Sequence, residues 1–374
     1  MKKSALTGIL TLALALGLAA PAGAFEAGAV DAPTSLGVSG TFSAVVDEDG
    51  TLWTWGNNNY GQLGNDNQGN VKNDSGNPEQ NVPTPILEEI RSVAVGGFHG
   101  AAIKEDGTLW TWGCNDNGQV GQKRVNDKDV IWYWTFIIPH RIVTPYQTVP
   151  VQIMEDVAAV ACGAYHTLIL KTDGTLWACG HNGYGQLGAG DTTDRDDPVQ
   201  VMTDVAAISA GFGFSAALKT DGSLWTWGRN DDGQLGTGDT QDRSEPVQVM
   251  DNVAQISAGS SHMAAIKTDG TLWTWGFDQF NQLGTGQPLA GEDETRFNPQ
   301  PTQVLEDAAF VAAGTYNTLA AKTDGSLWIW GTDIGLILCG IGDLENADGN
   351  AVQPVPASLP VELKVAVSNV NSGK

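Results

Sequence analysis

Six copies of one eight-residue phrase run along this chain and restrict what it can fold into. They read DGTLWTWG at Asp49, DGTLWTWG at Asp106, DGTLWACG at Asp173, DGSLWTWG at Asp221, DGTLWTWG at Asp269 and DGSLWIWG at Asp324, spaced by 57, 67, 48, 48 and 55 residues. A unit of about 50 residues built on β-type sequence cannot bury its apolar face alone. It must stack on copies of itself, so the chain is a repeat architecture.

The cleanest copy, Val205 to Met250, divides into four strands. The pattern predicts strand A at Val205–Ala210, B at Phe214–Lys219, C at Ser223–Gly228 and D at Pro246–Met250. Asp221-Gly222 between B and C reads as a two-residue type I′ hairpin turn with positive φ at both central residues. Pro246 is expected to open strand D, as proline does on an edge strand. Trp225 and Trp227 share one face of strand C, and Leu224 and Thr226 share the other. A strand with no charged face is covered on both sides, which blades stacked round an axis achieve. Strand A holds small residues, as in AAISAG and AQISAG, so it belongs nearest the axis, with D outermost. The expectation is an all-β chain, a single β-propeller of four-stranded blades with six recognisable repeats, a seven-bladed or incomplete ring being the alternative.

The frame repeats along the chain. A proline precedes the strand A glycine by 13 residues in five copies: Pro83 to Gly96, Pro150 to Gly163, Pro198 to Gly211, Pro246 to Gly259 and Pro301 to Gly314. Residues 1–24 read as a secretory signal peptide: Lys2 and Lys3, an apolar run from about Ala5 to Ala20, and Ala22-Gly23-Ala24 as the cleavage site. Residues 25–35 form a lead-in, 36–360 the propeller and 361–374 a tail in which Val365–Val367 resembles one more strand A. These features predict an exported protein, extracellular or periplasmic, with no membrane insertion.

The net charge is −24. Such a surface repels phosphate backbones, which argues against nucleic acid, and favours cationic or neutral partners or apolar contacts. Four cysteines in an oxidising compartment allow disulfides. Cys162 and Cys179 nevertheless fall in strands separated by a third, roughly 10 Å apart, too far for a bridge. Both read as small buried hydrophobes, and nothing supports a Cys114–Cys339 pair.

Gly96 with His99, Gly163 with His166, Gly259 with His262, the phrase DG-x-L-W-x-WG, and the GQLG runs at Gly61, Gly185 and Gly233 together resemble the repeat of the regulator of chromosome condensation family, over about residues 36–360. The resemblance implies a β-propeller, usually seven-bladed. It also implies that the recurring histidine makes a structural hydrogen bond within its own blade. Its known functions include guanine nucleotide exchange on a small GTPase and, among exported bacterial propellers, binding of other proteins.

Alternating strand direction sorts the loops. The A–B turns and C–D loops emerge on one face, and the DG turns and D–A links on the other. The long insertions, residues 65–82, 122–149, 285–300 and 332–353, are all C–D loops, which points to that face as the binding face. The second insertion carries Trp132, Tyr133, Trp134, Phe136, Ile137 and Ile138. It either anchors a partner or packs on the propeller. The A–B turns place Phe42, His99, His166, Phe214, His262 and Asn317 at one equivalent position, preceded among others by Phe98, Tyr165, Ser261 and Tyr316. The candidate partner-binding residues are therefore Trp132, Trp134, Phe136, Phe98, His99, Tyr165, His166, Phe214, His262 and Tyr316.

Three histidines suggest a metal ring, but Phe214 interrupts them and a structural role is preferred. Asp191, Asp194, Asp196 and Asp197 suggest calcium, yet Asx turns and pairing with Arg195 account for them. No G-x-S-x-G, H-E-x-x-H or phosphate loop occurs, and no cofactor is implied. The expected function is a non-enzymatic scaffold binding another protein. A secreted polysaccharide lyase or hydrolase is one alternative, and a regulator of a GTPase another.

Overall fold

The structure is a computed structural model that describes residues 35–66, 71–72, 78–124, 131–135, 138–142, 146–286, 296–332 and 352–358. Every regular element among these is a β-strand. The fourth repeat forms strands at Val205–Ala210, Phe214–Lys219, Leu224–Gly228 and Arg243–Met250, all antiparallel and paired in chain order. The same A-B-C-D sheet recurs six times, and in the first blade the short strand Val71–Lys72 adds to the outer edge. This is the expected all-β propeller. Inner strands of successive blades pack on one another from the first blade, Leu36–Val38, to the sixth, Ala308–Ala313. A belt of backbone hydrogen bonds follows them through the A–B turns: Gly97 N–H to Gly163, Ala164 to Phe212, Phe212 to Ser260 and Ser260 to Gly314.

Two local expectations are corrected. Lys219 N–H donates to Ser223, Gly222 N–H donates to Lys219, and of the loop residues only Gly222 has positive φ, +83°. The hairpin therefore carries the three-residue loop Thr220–Gly222, a type I turn closed by a left-handed glycine, and not the two-residue type I′ turn. The phrase has a side-chain logic of its own. Asp106 Oδ1 accepts from Thr108 N–H at 2.9 Å and from its hydroxyl at 2.7 Å, while the Trp110 indole donates to Thr108 Oγ1 at 3.0 Å. Trp110 also lies beneath Lys104 Nζ, 5.6 Å from the ring centroid. The first Trp of each phrase is thus a half-buried strut between turn and strand. Pro246, for its part, does not open strand D, which starts three residues earlier at Arg243. The proline sits where the C–D register breaks, between the Thr226 and Gly228 pairings, so its missing N–H is tolerated on this outermost strand.

The second Trp of the phrase is the inter-blade core. Trp112, Trp227, Trp275 and Trp330 are fully buried. Trp227 packs among Leu168, Leu170 and Leu187 of the preceding blade and donates its indole N–H to Gln186 O at 2.8 Å. A Cβ on Gly188 would lie 2.8 Å from that indole nitrogen, which is why the loop glycine has no side chain. In the third blade Cys179 holds this position. Thr167 of strand B pairs with both Cys162 and Cys179 and keeps them two strands apart, as expected. Both thiols are free, and burial pushes Cys179 up to about 12. Cys114 is free as well, while Cys339 lies outside the described residues.

Candidate functional site

The C–D loops of blades one to five each begin with a clasp made by two polar residues. In the third blade Asn182 Oδ1 accepts from Leu187 N–H at 2.9 Å, and Gln186 Oε1 accepts from Tyr184 N–H at 3.0 Å. The same pair of bonds recurs around Asn58 and Gln62, Asn115 and Gln119, Asn230 and Gln234, and Asp278 and Gln282. Pairing these buried side-chain oxygens with backbone N–H groups fixes the tight turn. It also holds the residue two before the glutamine at the loop tip. That residue is Tyr60, Asn117, Tyr184, Asp232 or Phe280.

These tips meet aromatic residues of the A–B turns. Tyr60 makes edge contacts with Phe98 at 5.2 Å and with Tyr146 at 5.3 Å between ring centroids. Phe98 stacks on Tyr165 at 5.0 Å, and Tyr165 meets Phe212 at 6.2 Å and His181 at 6.5 Å. His181 reaches Tyr184 at 5.9 Å, and the Arg229 guanidinium lies over Tyr184 at 5.9 Å. The result is an arc of touching rings across blades one to four, on the face of the A–B turns and C–D loops. Phe277, Phe280 and Tyr316 continue the pattern in blades five and six, with Phe280 and Tyr316 4.7 Å apart. Phe212, Tyr184 and Tyr316 are 47%, 40% and 42% exposed, unusual for rings this large.

The rim is acidic. Arg229 is held by Asp231 at 2.6 Å and reaches Asp232 at 3.7 Å. Burial raises the Asp232 carboxyl above the usual range, Asp231 adds to this, and Arg229 opposes it. Asp116 and Asp231 are exposed beside the arc. Burial also raises the Tyr165 and Tyr146 phenols, so both are protonated at neutral pH and can serve as donors to a bound surface. The arrangement offers apolar area, phenolic donors and negative charge, which suits recognition of a surface.

Four of the expected contact residues do not belong to this face. His99, His166, Phe214 and His262 are completely buried. They begin strand B and turn inward, while Phe98, Tyr165 and Ser261, the residues before the three histidines, turn out, as strand alternation requires. The histidine bond also crosses blades, contrary to expectation: His99 Nε2 pairs with Thr167 Oγ1 at 2.8 Å, His166 with Ser215 at 2.9 Å and His262 with Thr318 at 2.9 Å, each in the following blade. Desolvation lowers His99 and His166 to about 3 and His262 to about 4, so the rings are neutral rivets. Phe98, Tyr165 and Tyr316 are on the face as expected. Trp132 and Trp134 lie in a separate hairpin, Ile131–Thr135 paired with Ile138–Ile142, with Trp134 opposite Pro139 and Trp132 opposite Arg141. Phe136 lies outside the described residues.

Tyr60, Tyr146, His181, Tyr184, Phe212, Phe277 and Phe280 were missed by sequence reasoning. One signal was available: an aromatic residue stands two places before the loop glutamine in three copies, at Tyr60, Tyr184 and Phe280. Three of the four calcium candidates are engaged otherwise, Asp196 by Arg124 at 2.5 Å. Asp191 pairs with Arg195 at 2.6 Å and accepts from Thr193 N–H, and Asp194 accepts from Asn182 N–H. Among the described residues no three His, Cys, Asp or Glu side chains gather as a metal site.

Stacked four-stranded blades, inter-blade Trp and His rivets and a repeated loop clasp define a repeat β-propeller with an aromatic face. The model of the RCC1-like domain matches residues 25–305, and the chain belongs to that family. The mitochondrial RCC1 domain-containing protein RUG3 of Arabidopsis thaliana is 30% identical over 159 residues, 42% of this chain and 32% of that protein. The secretion-regulating guanine nucleotide exchange factor of Mus musculus is 30% identical over 146 residues, 39% of this chain and 27% of that protein. The match thus spans no more than about a third of these relatives. The crystal structure of Prp20p from Saccharomyces cerevisiae, a protein with binding properties toward Gsp1p and histones, superposes with a TM-score of 0.66. It covers 87% of this chain and 76% of Prp20p at 22% identity, and so supports the fold.

Proposed function

We propose that this propeller is an exported, non-enzymatic scaffold that holds another protein on the A–B and C–D loop face. The observation that carries the reading is the continuous arc from Tyr146 through Tyr60, Phe98 and Tyr165 to Phe212 and Tyr184. Aromatic side chains give large contact area at small entropic cost and dominate interface hot spots. The acidic rim and the net charge of −24 favour a partner with a basic surface, drawn in by long-range attraction. Trp132 and Trp134, carried by the C–D insertion of blade two, are further candidate anchors. Export rests on the sequence of residues 1–24.

The test is capture of partners by the protein beginning at Phe25, followed by affinity measurement with Phe212→Ala plus Tyr184→Ala, and separately with Trp132→Ala plus Trp134→Ala. The first pair should weaken binding by at least about 2 kcal/mol, the scale of hot-spot truncations. Unchanged affinity in both folded double variants would move the site to another surface. Regulation of a GTPase is the second reading, favoured by the exchange-factor relative from mouse. It would appear as accelerated nucleotide release from a GTPase partner.

A further inference from the structure

The sequence contains two Asn-Gly dipeptides, Asn117-Gly118 and Asn182-Gly183. In such a pair the glycine nitrogen can attack the asparagine side-chain amide, because no glycine side chain shields the approach. The fold treats the two pairs differently. Asn182 is fully buried. Its Oδ1 accepts from Leu187 N–H at 2.9 Å, and its Nδ2 donates to Asp191 O at 2.9 Å and to Asp191 Oδ1 at 3.1 Å. Both ends of that amide are held, so its Cγ cannot turn toward Gly183 N. Asn117 stands at the tip of the second C–D loop, where Tyr60 and Tyr184 stand in blades one and three, and is partly exposed. Its backbone N–H donates to Gln119 Oε1 at 3.0 Å, but its side-chain amide makes no hydrogen bond among the described residues. Gly118 N–H donates to Asn115 O at 3.2 Å, a longer bond than the equivalent 2.8 Å from Gly185 and 2.9 Å from Gly233. The amide carbon is thus free to turn and the attacking nitrogen is weakly held.

We infer that Asn117 is a site of spontaneous deamidation in the folded protein, which turns the loop tip of blade two from an amide into a carboxylate. Gly118 N gives up its proton and bonds to Asn117 Cγ. The bond from Cγ to Nδ2 breaks, and ammonia leaves with that proton, closing a succinimide. Water from solvent then opens the ring at either carbonyl and leaves an aspartyl or isoaspartyl residue. Blade four shows that the loop accepts the aspartyl product. Its Asn230-Asp231-Asp232-Gly233-Gln234 matches Asn115-Asp116-Asn117-Gly118-Gln119 with aspartate at the tip. Asp232 keeps the clasp there, its N–H donating to Gln234 Oε1 at 2.9 Å. The new charge joins Asp116 and Asp231 on the same face. Any effect on binding rests on the reading that this face holds a partner; the modification itself does not.

The test holds the folded full chain in mildly alkaline buffer and digests samples at intervals. Mass spectrometry then measures the acid form of the peptides that carry Asn117 and Asn182. Asn117 should convert at least about tenfold faster, because the Asn182 amide is released only by local opening of its loop. The same chain unfolded in urea should convert both sites at comparable rates, which would assign the difference to the fold. Isoelectric focusing gives a second reading. The folded chain should develop a more acidic band with time, and Asn117→Asp should run there from the start. Asn117→Gln should slow the appearance of that band, since glutamine must close a larger ring. Equal rates at the two sites in the folded chain would overturn the inference. So would conversion of Asn117 in urea but not in the folded chain, or an acidic band that grows as fast in Asn117→Gln as in the parent.

Discussion

Trp227→Ala removes the largest side chain between blades three and four. The ring is fully buried, touches Leu168, Leu170 and Leu187 across the junction, and is pressed by Gly188 and Val201. Truncating a buried aromatic to Ala costs about 3–5 kcal/mol through lost transfer energy and the cavity left behind. The glycine-lined wall is backbone and relaxes little, which favours the upper part of that range. The lost indole bond adds little, since Gln186 O keeps the Ser215 hydroxyl at 2.7 Å and no carbonyl is orphaned. Its net worth is about 1 kcal/mol. The expected loss is therefore about 4–5 kcal/mol, read from denaturant midpoints followed by both far-UV circular dichroism and fluorescence. Trp227→Phe should retain most of the stability. Trp55→Ala, at a half-buried site, should cost less than half as much. A loss below about 1 kcal/mol for Trp227→Ala, relative to typical core truncations, would refute inter-blade packing as the role of this ring.

The buried histidines predict a pH dependence. Their folded pKa values, about 3 for His99 and His166 and about 4 for His262, lie below the unfolded value near 6.5, so the unfolded chain takes protons first as pH falls. Stability from this source is complete above about pH 6.5 and declines toward pH 4, by about 2 kcal/mol per histidine at pH 5. Thermal melts at pH 7 and 5 should show the drop, and His262→Phe, which copies Phe214, should remove part of the slope; identical melting points at both pH values would contradict the burial. Gly222→Val should destabilise by about 1–2 kcal/mol through backbone strain, because φ is +83° while the space around a new Cβ is ordinary, 3.7 Å to the nearest atom. Gly222→Asn should be nearly neutral in the same melt, and equal losses for both would point to crowding.

The repeat, the strand order and the outward or inward place of each layer were legible in the sequence. They follow from local rules: a DG hairpin between apolar runs, small residues on strand A, and a proline spaced 13 residues before a glycine. Cys162 and Cys179 were separable because strand counting alone puts Thr167 between them. The hairpin type was not legible, since it depends on whether Lys219 pairs with Ser223, one residue of register that Asp-Gly does not specify. The ring of His99, His166 and His262 reads as a surface when ordered by loop position. It becomes a core only when the next blade arrives with Thr167, Ser215 or Thr318 to receive each imidazole. The aromatic arc is also a tertiary product. Tyr60 and Phe98 are in different repeats, as are Tyr165 and Phe212, and nothing in either repeat requires them to touch. Local sequence determines a blade because its hydrogen bonds and turns close within some 50 residues. The face and its chemistry are decided by how blades stack, because contacts such as Tyr60–Phe98, Phe98–Tyr165 and Tyr165–Phe212 join loops from different blades.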